Sequence, residues 1–154
     1  MDTSTTTHLI IGLLDTQRYA LRLAVVERIV RAVAVTPLPG APEIIHGVVD
    51  VEGIVMPVVN LRKRLGLPEK SITPEDRFIV ARTQRRPVIL VLDTVQAILE
   101  VPTEQIMTAD QILPHARHLD GVVKFPDGMI FIHDLEQFLS LDEEHALSQA
   151  LVNA

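Results

Sequence analysis

Residues 47–67, GVVDVEGIVMPVVNLRKRLGL, and residues 121–141, GVVKFPDGMIFIHDLEQFLSL, follow one pattern twice. Gly47-Val48-Val49 recurs as Gly121-Val122-Val123, Asn60-Leu61 as Asp134-Leu135, Leu65 as Leu139 and Leu67 as Leu141, all at one offset. Each copy runs from a glycine through an apolar stretch, a turn and a second apolar stretch to a Leu-rich end. Glu52-Gly53 and Pro126-Asp127-Gly128 are turn signals, so each copy predicts a hairpin followed by a short helical turn. Upstream, Leu21-x-Leu23-x-x-Val26-x-x-Ile29 recurs as Leu90-x-Leu92-x-x-Val95-x-x-Ile98, at a slightly shorter offset. A fixed order of elements at near-constant spacing marks an internal repeat. Each half is then a small β unit of about five strands, and units of that size bury too little surface to stand apart. The halves are expected to pack on one another.

Outward from the repeat, period-two and continuous apolar runs dominate. Leu9 to Leu14 and Tyr19 to Val25 are predicted strands, with Asp15-Thr16-Gln17-Arg18 as the turn between them, and Val26 to Val35 continues extended. Thr36-Pro-Leu-Pro-Gly-Ala-Pro42 cannot enter a helix or a central strand and is a loop. Pro42 is placed to open one helical turn through Ile45. Val48 to Val51 and Ile54 to Val59 form the first repeated hairpin, and Leu61 to Leu67 a short helix closed by Gly66. The polar stretch Pro68 to Asp76 separates the halves. Phe78 to Arg82, Pro87 to Leu92 and Val95 to Val101 are further strands, Thr103 to Arg117 is irregular, and Gly121 to Phe125 with Met129 to Ile132 is the second hairpin. Ser140 and Glu143 have capping-box spacing ahead of a helix carrying Leu147 and Leu151 on one face. The expected organisation is a polar tail over 1–8, one domain of two subdomains over 9–141, and a C-terminal helix over 142–154.

Composition narrows the function. Of 154 residues 47% are hydrophobic but only 3% aromatic, so Val, Ile, Leu and Ala must fill the interior. The absence of cysteine removes disulfides, thiolate nucleophiles and Cys-ligated zinc. A net charge of −6 with mostly scattered Lys and Arg argues against a phosphate-binding face, so no nucleic-acid partner is expected. No apolar run is long enough to span a bilayer, and Met1 to Thr7 lacks the regions of a signal peptide. A cytoplasmic protein without membrane insertion is the expectation.

Candidate chemistry is sparse. None of Ser4, Ser71, Ser140 and Ser148 sits in a Gly-x-Ser-x-Gly elbow, and Gly40, Gly47 and Gly53 do not form a phosphate loop. His115 and His118 have metal-ligand spacing but no evident third ligand. His133 and Asp134 are adjacent in a strand and point to opposite faces, so they are not an acid–base pair. Asp93 and Asp134 each end a strand, where a carboxylate capping backbone N–H groups is expected. No catalytic, metal or cofactor site is expected.

The motif order does carry a resemblance. Tyr19-Ala-Leu-x-Leu, Val26-x-x-Ile29, Thr36-Pro-Leu-Pro-Gly-Ala-Pro42 and Gly47-Val-Val-x-x-x-Gly53-x-x-x-Pro57-Val-Val-Asn-Leu-Arg62 resemble the first half of CheW domains. Val88-x-Leu-Val-Leu-Asp93-x-Val95-x-x-Ile98-Leu99 and Ile130-x-Ile-x-Asp134-Leu135 with Phe138-Leu139 resemble the second half, and the likeness runs from about Leu9 to Leu141. It implies a mainly β fold of two intertwined five-stranded SH3-like barrels with a shared core. It also implies a non-enzymatic adapter bridging chemoreceptor cytoplasmic helices to the regulatory domain of a CheA-type histidine kinase. Val26, Gly47, Gly53, Val95 and Ile98 are the candidate protein-binding positions that match. Arg28, Glu52 and Ile89 depart from the family pattern, which usually has an acid, an Arg and a Gly there. The two opposite charge reversals predict that Arg28 and Glu52 lie together as a salt bridge of swapped polarity, acting on partner choice rather than on stability. One alternative is a divergent module of the same fold serving another sensory kinase, and a third reading, disfavoured by the missing site constellation, is a small β-barrel enzyme or ligand-binding domain.

Overall fold

The computed structural model describes residues 5–108 and 119–153. The first half contains β1 (Thr6–Leu14), β2 (Gln17–Arg22), β3 (Val26–Arg31), β4 (Ile45–Val51), β5 (Ile54–Val59) and the helical turn α1 (Leu61–Arg64). The second contains β6 (Arg77–Arg82), β7 (Pro87–Leu92), β8 (Thr94–Pro102), β9 (Met107–Thr108), β10 (Leu119–Phe125), β11 (Gly128–His133) and the helix α2 (Leu141–Val152). They form a six-stranded sheet of order β8-β1-β2-β11-β10-β9 and a five-stranded sheet of order β3-β6-β7-β5-β4.

Both sheets mix strands of the two halves, and the repeat explains how. Advancing β1, β2 and β3 by 69 residues gives β6, β7 and β8; advancing β4 and β5 by 74 gives β10 and β11. Under that mapping the order of one sheet becomes the order of the other, as do its irregularities. The bulge at Glu27 (Val26↔Ala81, then Arg28↔Val80) matches the one at Gln96 (Val95↔Gly12, then Ala97↔Ile11). The bulge between Ile45 and Gly47 matches that between Leu119 and Gly121. Two parallel contacts cross between halves: β5 on β7 (Val58↔Ile89) and β11 on β2 (Ile132↔Ala20). Each hairpin is thus lent to the other half's strands, which is what makes the barrels intertwined.

Bulges bend strands, and bending lets a five-stranded sheet curl shut. Closure comes from the chain after the third strand: Thr36 bridges to Val48 in the first barrel, and β9 pairs with β10 (Met107↔Val122) in the second. Both closures press backbone onto a glycine. A Cβ at Gly47 would collide with the Thr36 carbonyl oxygen, and one at Gly121 would come within 2.8 Å of Ile106 Cγ2 and 3.1 Å of the Met107 carbonyl. This is why the repeat begins with glycine.

Among the described residues, three apolar clusters fill the interior. Leu9, Ile11, Ala20, Val101, Val123, Ile130 and Ile132 line one barrel, and their repeat mates Phe78, Val80, Ile89, Ala32, Val49, Met56 and Val58 line the other. Leu14, Leu21, Ile79, Leu90, Leu135 and Phe138 belong to the third cluster, shared between the barrels and roofed by Leu147 and Ala150 of α2. Ser140 and Glu143 close a reciprocal capping box at the start of α2, as their spacing predicts.

Several expectations need correction. The first strand starts at Thr6, inside the expected tail, because Thr6 and Thr7 pair with Pro102 and Val101 and extend the ladder to β8. The second strand ends at Arg22 and gives way to a 3-10 turn, Leu23–Val25. The third ends at Arg31 rather than Val35, because its neighbour β6 starts only at Arg77, after a turn closed by the Asp76 N–H on the Thr73 carbonyl (3.0 Å). Pro42 opens a single hydrogen-bonded turn (Ile45 N–H to Pro42 C=O, 2.9 Å) rather than helix. The stretch beginning at Thr103 is ordered through β9, starting with a 3-10 turn over Thr103–Gln105. His115 and His118 lie outside the described residues.

Candidate protein-binding surface

The eight sequence-predicted positions divide by burial. Ile89 has no exposed surface: it is the mate of Ala20 and faces the barrel interior. Gly47 is also buried, held under Thr36 by the closure described above. Neither position offers a side chain to a partner, so for these two the interface expectation is replaced by a packing one. Val26 and Val95 are repeat mates, half-buried against the shared core. Arg28, Glu52, Gly53 and Ile98 are exposed.

Arg28 and Glu52 meet. Nη1 of Arg28 donates to Oε1 of Glu52 at 3.0 Å and Nη2 to Oε2 at 3.1 Å, a bidentate fork. Local structure aims both groups. Arg28 follows the bulge of β3, an edge strand, and Glu52 sits at φ +52° in the two-residue turn it makes with Gly53 at φ +87°. A turn with both central residues at positive φ suits the twist of a hairpin. The Asp50 carboxylate accepts the Gly53 N–H (2.7 Å) and holds the turn. Hydrogen bonding from Arg28 lowers the Glu52 pKa, and the same bond raises that of Arg28. The fork therefore clamps the edge strand β3 to the tip of the β4–β5 hairpin. In the other barrel the corresponding positions are Ala97 and Pro126, which cannot form it.

Apolar side chains surround these tips. Ile54 and Val55 follow Glu52 and Gly53 and are more than half exposed. The mate of Val55 on the second barrel, Met129, is 48% exposed, and Ile98, the mate of Ile29, is 57% exposed. Each barrel thus presents an apolar edge and an apolar hairpin tip, but only the first carries the charged clamp.

A second charged cluster was not legible in the sequence. Arg62, 8% exposed, donates to Asp15 (Nη1–Oδ2 3.1 Å, Nη2–Oδ1 3.0 Å) and to Asp93 (Nη2–Oδ2 2.7 Å). Lys70 Nζ lies 3.5 Å from Asp93 and 3.3 Å from the buried Asp76. Asp93 also accepts the Asp15 N–H (2.7 Å), so its capping role is real but serves another hairpin's turn. Burial of Asp93 alone would raise its pKa, yet the bonds from Arg62 and the Asp15 N–H outweigh that and hold it below the usual range. Hydrogen bonding to Asp15 leads the effects that raise the Arg62 pKa. The cluster joins the β1–β2 turn, α1 and the end of β7, so it ties the halves together.

His133 and Asp134 diverge as their strand positions require. The buried His133 ring lies 4.9 Å from that of Tyr19 and 6.0 Å from that of Phe138, centroid to centroid. The Asp134 carboxylate accepts the Glu136 N–H at 3.0 Å. The Asn60 side chain accepts the Lys63 N–H at 3.0 Å and plays the mate's part in the first half.

Fold and surface together define a class, a pair of SH3-like barrels built by exchanging hairpins between two repeated halves. The family model of the CheW-like domain matches residues 8–143, and the chain belongs to that family. It is 32% identical over 103 residues to the chemotaxis protein CheW of Bacillus subtilis, covering 67% of this chain and 66% of that one. It is 36% identical over 112 residues to protein FrzA of Myxococcus xanthus, covering 68% of each. Among solved structures, the scaffolding protein TtCheW from Thermoanaerobacter tengcongensis superposes with a TM-score of 0.81 at 23% identity, over 90% of this chain and 96% of that one.

Proposed function

We propose that this chain is a non-enzymatic adapter of chemotaxis signal transduction, coupling chemoreceptor cytoplasmic helices to the regulatory CheW-like domain of a CheA-type histidine kinase. The observation that carries the reading is the duplicated apolar presentation: Val55 and Met129 at the hairpin tips, Ile29 and Ile98 at the barrel edges, one of each per barrel. Exposed apolar groups on separate faces of one rigid body are what a bridge needs, because holding two partners together raises their effective concentration. Membership of the CheW-like family supports the chemotactic setting. In this reading the adapter works in the cytoplasm and reaches the membrane through receptors, a setting supported by its family. Among the described residues no helix is long and apolar enough to cross a membrane.

The Arg28–Glu52 fork favours a second reading, in which the same module serves a different sensory kinase. Its polarity is opposite to the family's usual arrangement, so a partner built for that arrangement meets reversed charges, and like-charge contacts reject a partner more strongly than lost contacts do. Affinity capture from the native host separates the two. Recovery of both a receptor and a CheA-type kinase supports the first reading, and recovery of another kinase without receptors replaces it with the second.

A further inference from the structure

The internal repeat exposes a strand position that one barrel fills and the other leaves open. In the second barrel, β8 stays paired to its end: Pro102 faces Thr6, and the Thr103 N–H donates to the Thr5 carbonyl at 3.0 Å. The mates of Pro102 and Thr103 are Val33 and Ala34, and those of Thr5 and Thr6 are Pro74 and Glu75. In the first barrel the last equivalent bond is Ala32 N–H to the Asp76 carbonyl (3.0 Å). Beyond it the Thr73–Asp76 turn, pinned by the Thr73 N–H on Asp76 Oδ2 (2.9 Å), carries the chain away. Among the described residues, the Val33, Ala34 and Val35 N–H groups make no hydrogen bond. Between this segment and residues 70–74 lies a cleft of about 540 Å³. Val33 on its rim is 53% exposed.

The charges beside the opening differ between barrels in the same way. In the second, His8 faces Glu100 across the ladder at 3.5 Å. The corresponding pair in the first is Arg31 facing Arg77. Like charges directly opposite one another destabilise a sheet unless something answers them. Arg77 donates to the Glu75 carbonyl (2.7 Å), and among the described residues neither guanidinium has a carboxylate partner. Lys70, also in the cleft wall, is already engaged by Asp76 and Asp93.

We propose that the Val33–Val35 edge is a docking site for an extended acidic segment of a partner protein. The segment adds as a strand in the place that Thr5 and Thr6 occupy in the other barrel. Its residue opposite Val33 lies on the face of Arg31 and Arg77, so a Glu or Asp there reaches both guanidiniums, while the Ala34 N–H donates to its backbone. The segment ends at that acid, because Asp76 holds the next position on Ala32, and the residue before it fits best when β-branched, as Thr5 is. This is a third surface, separate from the hairpin tips and the clamp, and it does not depend on which kinase or receptor the chain serves.

The test uses the full ¹⁵N-labelled chain and two fluorescent ten-residue peptides of alternating Thr and Val with amidated C-termini, one ending in Glu and its twin in Lys. Amide shifts centred on Val33, Ala34 and Val35 are expected with the Glu peptide. Anisotropy should show it binding roughly tenfold more tightly than the Lys twin. Arg31→Glu should reverse the preference, and Ala34→Pro should abolish binding with the circular dichroism spectrum retained. Equal affinity for the twins, shifts centred elsewhere, or no binding at millimolar peptide would overturn the proposal. So would concentration-dependent self-association lost in Arg31→Glu, which would assign the edge to a second copy of the chain. Should Ala34→Pro fail to fold, the charge-reversal arm still decides.

Discussion

A guanidinium taken out of water costs stability unless its donors are matched, and Arg62 is matched by two carboxylates from separate turns. Replacing it with Met takes the guanidinium from the Asp15 carboxylate and leaves Asp93 with Lys70 and the Asp15 N–H. Because Asp15 is half exposed, the expected loss is about 2 kcal/mol rather than the 3–5 of a fully buried pair, read by urea denaturation. The folded-state pKa of Asp93 is depressed, so its contribution is present above the ordinary carboxylate range near pH ~4 and fades as pH falls through the lowered value. Arg62→Met should remove that part of the acid sensitivity, seen as a flatter profile of unfolding midpoint below about pH 4. Arg28 and Glu52 behave differently. Their groups are in water, so Arg28→Ala should leave the melting temperature within about 2 °C of the parent while changing partner affinity. The double reversal Arg28→Glu with Glu52→Arg should restore the bridge and exchange one partner preference for the other, measured by competition between partners. The clamp was legible because two departures from a family pattern had opposite sign. Arg62 was not, because its acids lie 47 and 31 residues away and only the folded chain brings them to one point.

Strand and turn positions were largely legible, because local periodicity and turn chemistry act over a few residues. Ile54–Val59 and Pro87–Leu92 have the predicted bounds, and α2 starts at its capping box. What local pattern does not carry is the neighbour of each strand, and the misjudged ends follow from that. Thr6 and Thr7 are strand because β8 is beside them; Val33 to Val35 are not, because β6 turns away. Ile89 looked like a surface departure only because the strand beside it was unknown. Gly47→Ala and Gly121→Ala should each cost about 1–3 kcal/mol by forcing the closing segment off its hairpin, with the larger effect at Gly47, where the nearest collision is with the Thr36 backbone and φ is +152°. Leu147→Ala should cost about 2–5 kcal/mol, because Leu147 is fully buried at the roof of the shared core. Both are read from denaturant midpoints. A loss at Leu147 well under 1 kcal/mol would mean that α2 is an appendage rather than part of the core.

At the scale of the molecule, hairpin exchange makes the two halves one body. Val58 pairs with Ile89 and Ile132 with Ala20, so each barrel is completed by the other half. Fragments 1–68 and 69–154 should each lack a cooperative thermal transition, and the intact chain should melt in a single one. Rigidity of that kind suits an adapter, because a partner on one barrel is felt at the other only if the barrels do not swivel. The proposed function requires the chain to bind two partners at once. The direct measurement is sedimentation velocity of the purified chain with a soluble receptor-tip fragment and the regulatory domain of the host's CheA-type kinase. A complex containing all three, with neither partner displacing the other, is the predicted result. Mutually exclusive binding, or no binding of either, would contradict it.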